Sequence, residues 1–518
     1  MNLKYFLPIT AIALLLVAAC QKLKEDPRAN LTPGSYFKTQ SDLDASVAAI
    51  YTELTPDFAF GFTTRMTSCF GADDLTTDPG LNKGDMRAFD ELNGASNNAS
   101  LMNQWQGPWS AVYQANNVLA NYKTVPTQSA SALQAVQQSV GQAYFLRAFS
   151  YYYLVRVFGP IPNVITQIQV TDRPQRDSVA TIYNTIVGDL QQAAALLPAT
   201  WPNQPGRATA GAARALLADV YLTMTGYPIN QSSYYALAAA EADSVIKAGN
   251  FSLEPDFNTV FTTNNGPESI FALQFNVTAG VPERSYGSSS VPLDESGLDG
   301  SGGWDDYYPE INFYLNSPKC YRSYCTYYDT LKLLNADKKT FTLVPWNSPL
   351  THAGHPYFKK FRHGLVTNGV GDGVNETATT ILSINPSTNK AMDFIRYPMV
   401  LLDYAEASTM AGNGPPADAY ARVNLIRARA GLPSLTPGLS QTAFRDSVVQ
   451  ERAWEFAGEN GVRWFDIVRL QRLPQIIAAR NSLENPINTT NPLDTRYLAP
   501  IPLNDMNNNP KWAQNPGY

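Results

Sequence analysis

Apolar positions recur at three- and four-residue spacing over much of the chain, and this spacing predicts helices. Residues 41–54 open with Ser41-Asp42-Leu43-Asp44, a capping box with Ser41 as N-cap, and Leu43, Val47, Ile50 and Leu54 follow on one face. Further helical patterns run from Trp105 to Tyr122, from Ala132 to Phe158 before Gly159-Pro160, and from Ser178 to Leu197 before Pro198. Two segments read as helix–turn–helix pairs: Ala212 to Thr225 with Tyr234 to Ala248, and Tyr397 to Ala411 with Pro416 to Ala430. Gly226, Gly249, Gly412 and Gly431 stand just past these helices, where a left-handed cap is expected. Pair length, glycine stops and small Ala at the crossings match a tetratricopeptide-type repeat. Such pairs bury their apolar faces only by stacking.

Between Phe251 and Asn389 the helical period is lost. Short runs such as Ser269 to Phe275 look like strands, set among long Gly/Ser/Pro/Asp stretches, notably Gly287 to Gly303. Helices return over Thr442 to Ala457 and Gly461 to Leu473, and the tail from Pro486 reads as coil. The predicted organisation is a signal segment (1–19), a tether (20–35), a helical region (36–250), a loop-rich lobe (251–395), C-terminal helical repeats (396–473) and a terminal coil (474–518).

The start of the chain bears on compartment. Lys4 is the sole charge before Cys20, and an apolar run ends in Ala18-Ala19-Cys20, which resembles a bacterial lipobox. Cys20 is therefore the expected lipidation site, and two or more acyl chains would hold the protein to a membrane. No later stretch approaches the length of an apolar span, so anchoring rather than spanning is expected. Outside the cytoplasm Cys320 and Cys325 are close enough to close a small disulfide loop, which would leave Cys69 as a buried thiol.

The 518 residues carry a formal charge of -6 and only 16% charged side chains, beside 11% aromatic ones. This balance argues against nucleic acid as a partner, because phosphate backbones are held by clustered Lys and Arg. A surface of uncharged amides, hydroxyls and Tyr suits a neutral, hydroxyl-rich ligand. No P-loop and no nucleophile elbow occurs, and Gly369-x-Gly371-x-Gly373 lacks the strand–helix context of a nucleotide fingerprint. His352, His355 and His363 read as exposed loop residues, so neither metal nor other cofactor is expected. The carboxylate pairs Asp73-Asp74 and Asp305-Asp306 and the group Glu451, Glu455 and Glu459 are available for glycosidase chemistry, but the last group, followed by Arg463, Asp466 and Arg469 with alternating signs, reads as a salt-bridged helix pair. The densest aromatic–carboxylate cluster is Gly302-Gly303-Trp304-Asp305-Asp306-Tyr307-Tyr308. Flat rings can stack on the C–H face of a sugar while acids, amides or Arg take its hydroxyls. A second region joins Asp73, Asp74, Asp85, Arg87, Asn103, Trp105 and Trp109; Trp105, Trp109 and Tyr113 recur four apart, which reads as a core stripe.

Several segments in order resemble the SusD/RagB family of outer-membrane nutrient-binding lipoproteins. They are the lipobox, Trp109-x3-Tyr113-x2-Asn116-Asn117, Ala143 to Ala148 running to Leu154 to Pro162, Arg396 to Ala407, and Val423-Asn424-x2-Arg427-x-Arg429-Ala430-Gly431-Leu432. Glu451 to Glu459 with Arg463-Trp464-x-Asp466 follows, and then Pro500-Ile501-Pro502 with the ending Gln514 to Tyr518. The resemblance implies a mainly α fold: a SusD-like tetratricopeptide-type helical bundle with a loop-rich, partly β inserted lobe. It implies attachment to the outer membrane, surface exposure, a SusC-like TonB-dependent transporter as partner and an architectural role for the Glu/Arg/Asp motif. On the aromatic argument, Trp304, Tyr307 and Tyr308 are the expected stacking surface for a glycan, with Asp73, Asp74, Asp306 and Arg87 as polar clamps. The expected function is non-enzymatic glycan capture. The alternatives are the same fold binding peptides, a surface glycosidase, or a scaffold for other proteins.

Overall fold

The structure is a computed structural model of the chain, and it describes residues 36–78, 80–168, 172–284, 286, 288–295, 303–337, 339–362, 389–487 and 496–518. The expected signal segment, Cys20, the tether, His363 and the glycine run at 369–373 lie outside the described residues.

Eleven helices are used here: α1 (Gln40–Leu54), α2 (Gly84–Asp90), α3 (Ala99–Asn121), α4 (Ala130–Phe158), α5 (Val179–Leu196), α6 (Ala210–Met224), α7 (Tyr234–Ala248), α8 (Tyr397–Ala411), α9 (Ala417–Arg429), α10 (Gln441–Glu455) and α11 (Val462–Arg469). Their starts are set by side chains that take up free N–H groups. Ser129, Ser178, Thr209 and Ser440 each accept from the backbone N–H three residues on. The first capping box sits two residues earlier than expected: Thr39 is the N-cap and Asp42 reaches back to it. Helix α3 also begins early, because Asn98 accepts from Leu101 N–H at 3.0 Å.

The glycine stops divide by mechanism. Gly249 and Gly431 adopt φ of +67° and +77°, as a left-handed cap requires. Gly412 is extended instead. Gly226 is fixed by close approach: a Cβ there would stand 2.3 Å from the Arg469 carbonyl oxygen.

Sequential helices pack side by side: α1 on α3, α3 on α4, α4 on α5, α5 on α6, and α6 on α7. Helix α8 packs on α7, and α9 and α10 pack on α8. The chain thus leaves the stack after α7 and rejoins it at α8. Between these points the lobe is built from two-stranded antiparallel ladders: β2 (Ser269–Leu273) with β8 (Met392–Arg396), β4 (Tyr327–Tyr328) with β7 (Tyr357–Phe358), and β5 (Thr330–Leu334) with β6 (Phe341–Pro345). A further ladder reaches back in the sequence, pairing β1 (Thr76–Thr77) with β3 (Tyr307–Tyr308). The β2–β8 ladder closes the base of the lobe, where Phe271 and Phe394 pack on Phe149 of α4 with centroids 5.3 and 5.1 Å away.

Buried ion pairs tie lobe to stack. Arg396 at the end of β8 donates to Glu459 at 2.9 and 3.0 Å, to Glu455 at 3.1 Å and to Glu268. Arg322 joins Glu451 and Glu455 at 2.7 and 3.0 Å, while Arg429 pairs with Glu268 and Glu455. Burial opposes ionisation of Glu455, but Arg429, Arg396 and Arg322 outweigh it and hold its carboxyl well below the usual range. A second network links Arg469 to Glu406 and Asp466 at 2.6–2.8 Å. The Glu/Arg/Asp motif is therefore framework, but its glutamates pair with Arg322, Arg396, Arg427, Arg429 and Lys360, whereas Arg463 takes Asp73 and Arg469 takes Glu406 and Asp466. Cys69, Cys320 and Cys325 are free thiols, so the small disulfide loop is not formed. Among the described residues no helix is long and apolar enough to cross a membrane.

Candidate ligand-binding site

The expected stacking surface is mostly interior. Tyr307 and Tyr308 form β3, pair with Thr77 and Thr76, and have no exposed area. Tyr307 packs among Phe70, Phe358 and Phe361, and Tyr308 stacks on His355 at 4.3 Å. Rings sealed this way cannot offer a face to a ligand, which corrects the sequence reading of both. Trp304 alone of the three is open, 39% exposed, with its ring set edge-on against Phe62.

The expected clamps are also engaged in the fold. Asp73 takes a two-pronged contact from Arg463 of α11 at 2.5 and 2.8 Å. Asp74 is buried and accepts from Gly458 N–H at 2.7 Å; burial pushes its carboxyl up to about 7. Asp306 is buried against Lys83. Arg87 lies 3.8 Å from Glu91 one turn along and donates to the Gly80 carbonyl. Buried, partnered carboxylates of this kind serve as ties between segments, so Asp74 and Asp306 are withdrawn from any clamp on a solvent-borne ligand. His355, expected on an exposed loop, is buried and meets Glu484 at 3.1 Å. Asp305 is held between Leu293 N–H and Tyr357 Oη at 2.9 Å each, and burial raises it to about 6.

The stripe on α3 is where rings become accessible. Trp105 faces inward and meets Phe158 edge-on at 4.9 Å. One turn on, Trp109 is half-buried, and a further turn on, Tyr113 is 53% exposed. The helix thus rises out of the core along this line. Opposite it lie residues 162–168 and 172–174 and the C-terminal tail, in which Trp512 donates from its indole nitrogen to the Pro174 carbonyl at 3.0 Å. These elements enclose a cleft of about 790 Å³. Its rings are Trp105, Trp109, Tyr113 and Trp512, and its polar rim is carried by the amides Asn103, Gln106, Gln114, Asn504 and Asn509. The charged groups in its lining are the acids Glu53, Asp172 and Asp505; among the described residues no Lys or Arg lines it. Burial raises the Asp505 carboxyl, opposed by a hydrogen bond from Trp105. Among the described residues the buried Trp109 indole nitrogen has no hydrogen-bond partner.

Reading the α3 stripe as core held for Trp105 and missed Trp109 and Tyr113. Trp512, Asp505 and Asn509 escaped notice because they belong to a coil whose docking on α3 has no local signature. The available hint was the coincidence of three rings and Asn103 on one helix.

A stack of helix pairs that carries a loop-rich lobe and presents an aromatic cleft defines a helical-repeat binding protein. Residues 347–518 match the model described as the SusD family, and residues 42–222 match the one described as starch-binding associating with outer membrane. Together these matches support a SusD/RagB family protein. It is 29% identical to SusD-like protein P2 of Formosa agariphila, over 98% of this chain and 99% of that one. In structure it resembles a SusD homolog from Bacteroides thetaiotaomicron, with a TM-score of 0.79, 20% identity, and coverage of 95% of this chain and 100% of the other. It also resembles surface glycan-binding protein A from Bacteroides thetaiotaomicron in complex with laminarihexaose, with a TM-score of 0.71, 20% identity, and coverage of 92% and 100%.

Proposed function

We propose that the protein captures neutral oligosaccharides in the cleft between α3, residues 162–168 and 172–174, and the C-terminal tail. The observation that carries this reading is the pairing of accessible rings with an amide rim in one cleft. Trp109, Tyr113 and Trp512 would stack on the apolar faces of sugar rings, and the amides would exchange hydrogen bonds with their hydroxyls. A lining that holds carboxylates and no described cation disfavours uronates and sulfated sugars, since like charges repel across a partly desolvated cleft. Trp304 would act as a secondary contact. The family description and the laminarihexaose complex of a structural relative support a glycan as the ligand class.

Capture requires no bond cleavage in this account: Asp305 and Asp306 are buried and already partnered, which disfavours a hydrolytic role for that pair. Lipidated through Cys20, the protein would sit at the outer-membrane surface and hand its ligand to a SusC-like TonB-dependent transporter. The test is a thermal-midpoint panel on the purified protein with neutral oligosaccharides, uronic-acid oligosaccharides and peptides, because a ligand of the native state raises the midpoint. Neutral oligosaccharides are expected to raise it; a rise with peptides alone overturns the reading.

A further inference from the structure

We propose that Asp78, Asp305 and His352 form a binding site for one divalent metal ion of the zinc type. The ladder between β1 and β3 brings the first two together, since Asp78 follows Thr77 and Asp305 precedes Tyr307 in that antiparallel pair. His352 arrives on the loop between β6 and β7, where its backbone N–H donates to Asp294 at 2.6 Å. Asp305 adopts φ of +50°, a left-handed conformation uncommon for a residue with a Cβ. Its Oδ1 is satisfied by Leu293 N–H and Tyr357 Oη, and its Oδ2 lies 3.2 Å from His352 Nδ1.

The remaining atom is the informative one. Asp78 Oδ1 takes the Gly80 N–H at 2.6 Å, while Asp78 Oδ2 stands 3.6 Å from the same His352 Nδ1, too far for a hydrogen bond. Nδ1 carries at most one proton, so it serves one of the two carboxylates. Among the described residues no N–H or O–H donates to Asp78 Oδ2, and this oxygen keeps contact with solvent although the residue as a whole is 4% exposed. It is therefore free to take a cation together with Asp305 Oδ2 and His352 Nδ1. Near it the buried Tyr308 hydroxyl has no partner among the described residues, and its ionisation is opposed by burial and then by the nearby charges of Asp78 and Asp305.

The three ligand atoms lie within 4.8 Å of one another. Atoms held about 2.0–2.1 Å from a tetrahedral ion are roughly 3.3–3.4 Å apart. The observed 3.2 and 3.6 Å bracket that spacing. One imidazole nitrogen with two carboxylate oxygens suits a borderline first-row ion; calcium takes six to eight oxygens. The His352 side chain is 45% exposed, which gives an entry path from solvent. A bound ion would pin three loops that are distant in sequence at the foot of the exposed Trp304.

The test is calorimetric titration of the chelator-treated full chain with zinc chloride, beside His352→Gln and Asp78→Asn, each first checked for a native circular-dichroism spectrum. One saturable equivalent is expected in the parent protein. Each variant should bind zinc at least ~10–100-fold more weakly, the scale that loss of even an outer-shell partner costs. Calcium at equal concentration should not displace the zinc. His352 is half exposed, so His352→Gln should fold even where Asp78→Asn does not. Absence of saturable binding, or equal affinity in His352→Gln, overturns the site and leaves an imidazole–carboxylate ion pair only; equal affinity would place the zinc elsewhere, for instance on the Cys320 and Cys325 thiols.

Discussion

Replacing Arg396 with Met removes the cation around which the junction of lobe and stack is built. The guanidinium is 1% exposed and satisfies Glu459 twice, Glu455 once and Glu268 once. Met fills a similar volume, so the effect isolates charge. Afterwards Lys360 remains beside Glu459, and Arg429 remains beside Glu268 and Glu455. Removing one partner of a buried ion pair costs about 3–5 kcal/mol, because a charge is left in a medium that solvates it poorly. At about 2.1 cal/mol/K of unfolding entropy per residue, a chain of this length loses ~1 °C of melting temperature per kcal/mol, so a fall of ~3–5 °C is expected. Urea unfolding followed by tryptophan fluorescence gives the free energy directly. A loss of less than ~1 kcal/mol with an unchanged denaturant slope would refute the reasoning, since Arg396 would then contribute no more than an exposed pair.

Three further outcomes follow from the same geometry. Asp74 holds its proton more tightly folded, at about 7, than in the unfolded chain, so its contribution to stability is full below about 4 and is lost as pH rises through 7. Asp74→Asn keeps an acceptor for Gly458 N–H and should gain on the parent by up to ~2.5 kcal/mol between pH 5 and pH 8; a pH-independent difference in urea midpoint would contradict this. Gly226→Ala places a methyl 2.3 Å from the Arg469 carbonyl and should cost roughly 1–3 kcal/mol by overpacking, with a melting temperature equal to the parent's as the refuting result. Trp109→Ala takes one ring out of the cleft and should weaken oligosaccharide affinity by about 3- to 10-fold; unchanged affinity in titration calorimetry would remove that ring from the stacking surface.

The helical stack was legible because its information is local. Apolar period, Ser and Thr caps and glycine stops all act within a few residues, which is why α4 to α9 fall near their expected limits. The error at the first capping box has the same scale: Thr39-x-x-Asp42 and Ser41-x-x-Asp44 are overlapping candidates, and only the fold chooses between them. The cluster after Gly303 was misread for the opposite reason. Its glycine-rich approach suggested an exposed loop, but Tyr307 and Tyr308 are fixed by pairing with Thr77 and Thr76, a contact that no nearby residue announces. Asp73 and Asp74 were similarly claimed by Arg463 and Gly458 from the far end of the chain. The cleft combines a helix stripe visible in the sequence with a tail whose docking is not, so three of its four rings lie on the stripe and Trp512 could not be found.

The capture of neutral sugar on the α3–tail cleft is tested most directly by titrating a neutral hexasaccharide into the parent protein and into the Tyr113→Ala/Trp512→Ala double variant. Saturable binding to the parent, weakened about 10- to 100-fold in the variant at an unchanged melting temperature, is the expected result. Equal affinity in the two proteins would contradict it.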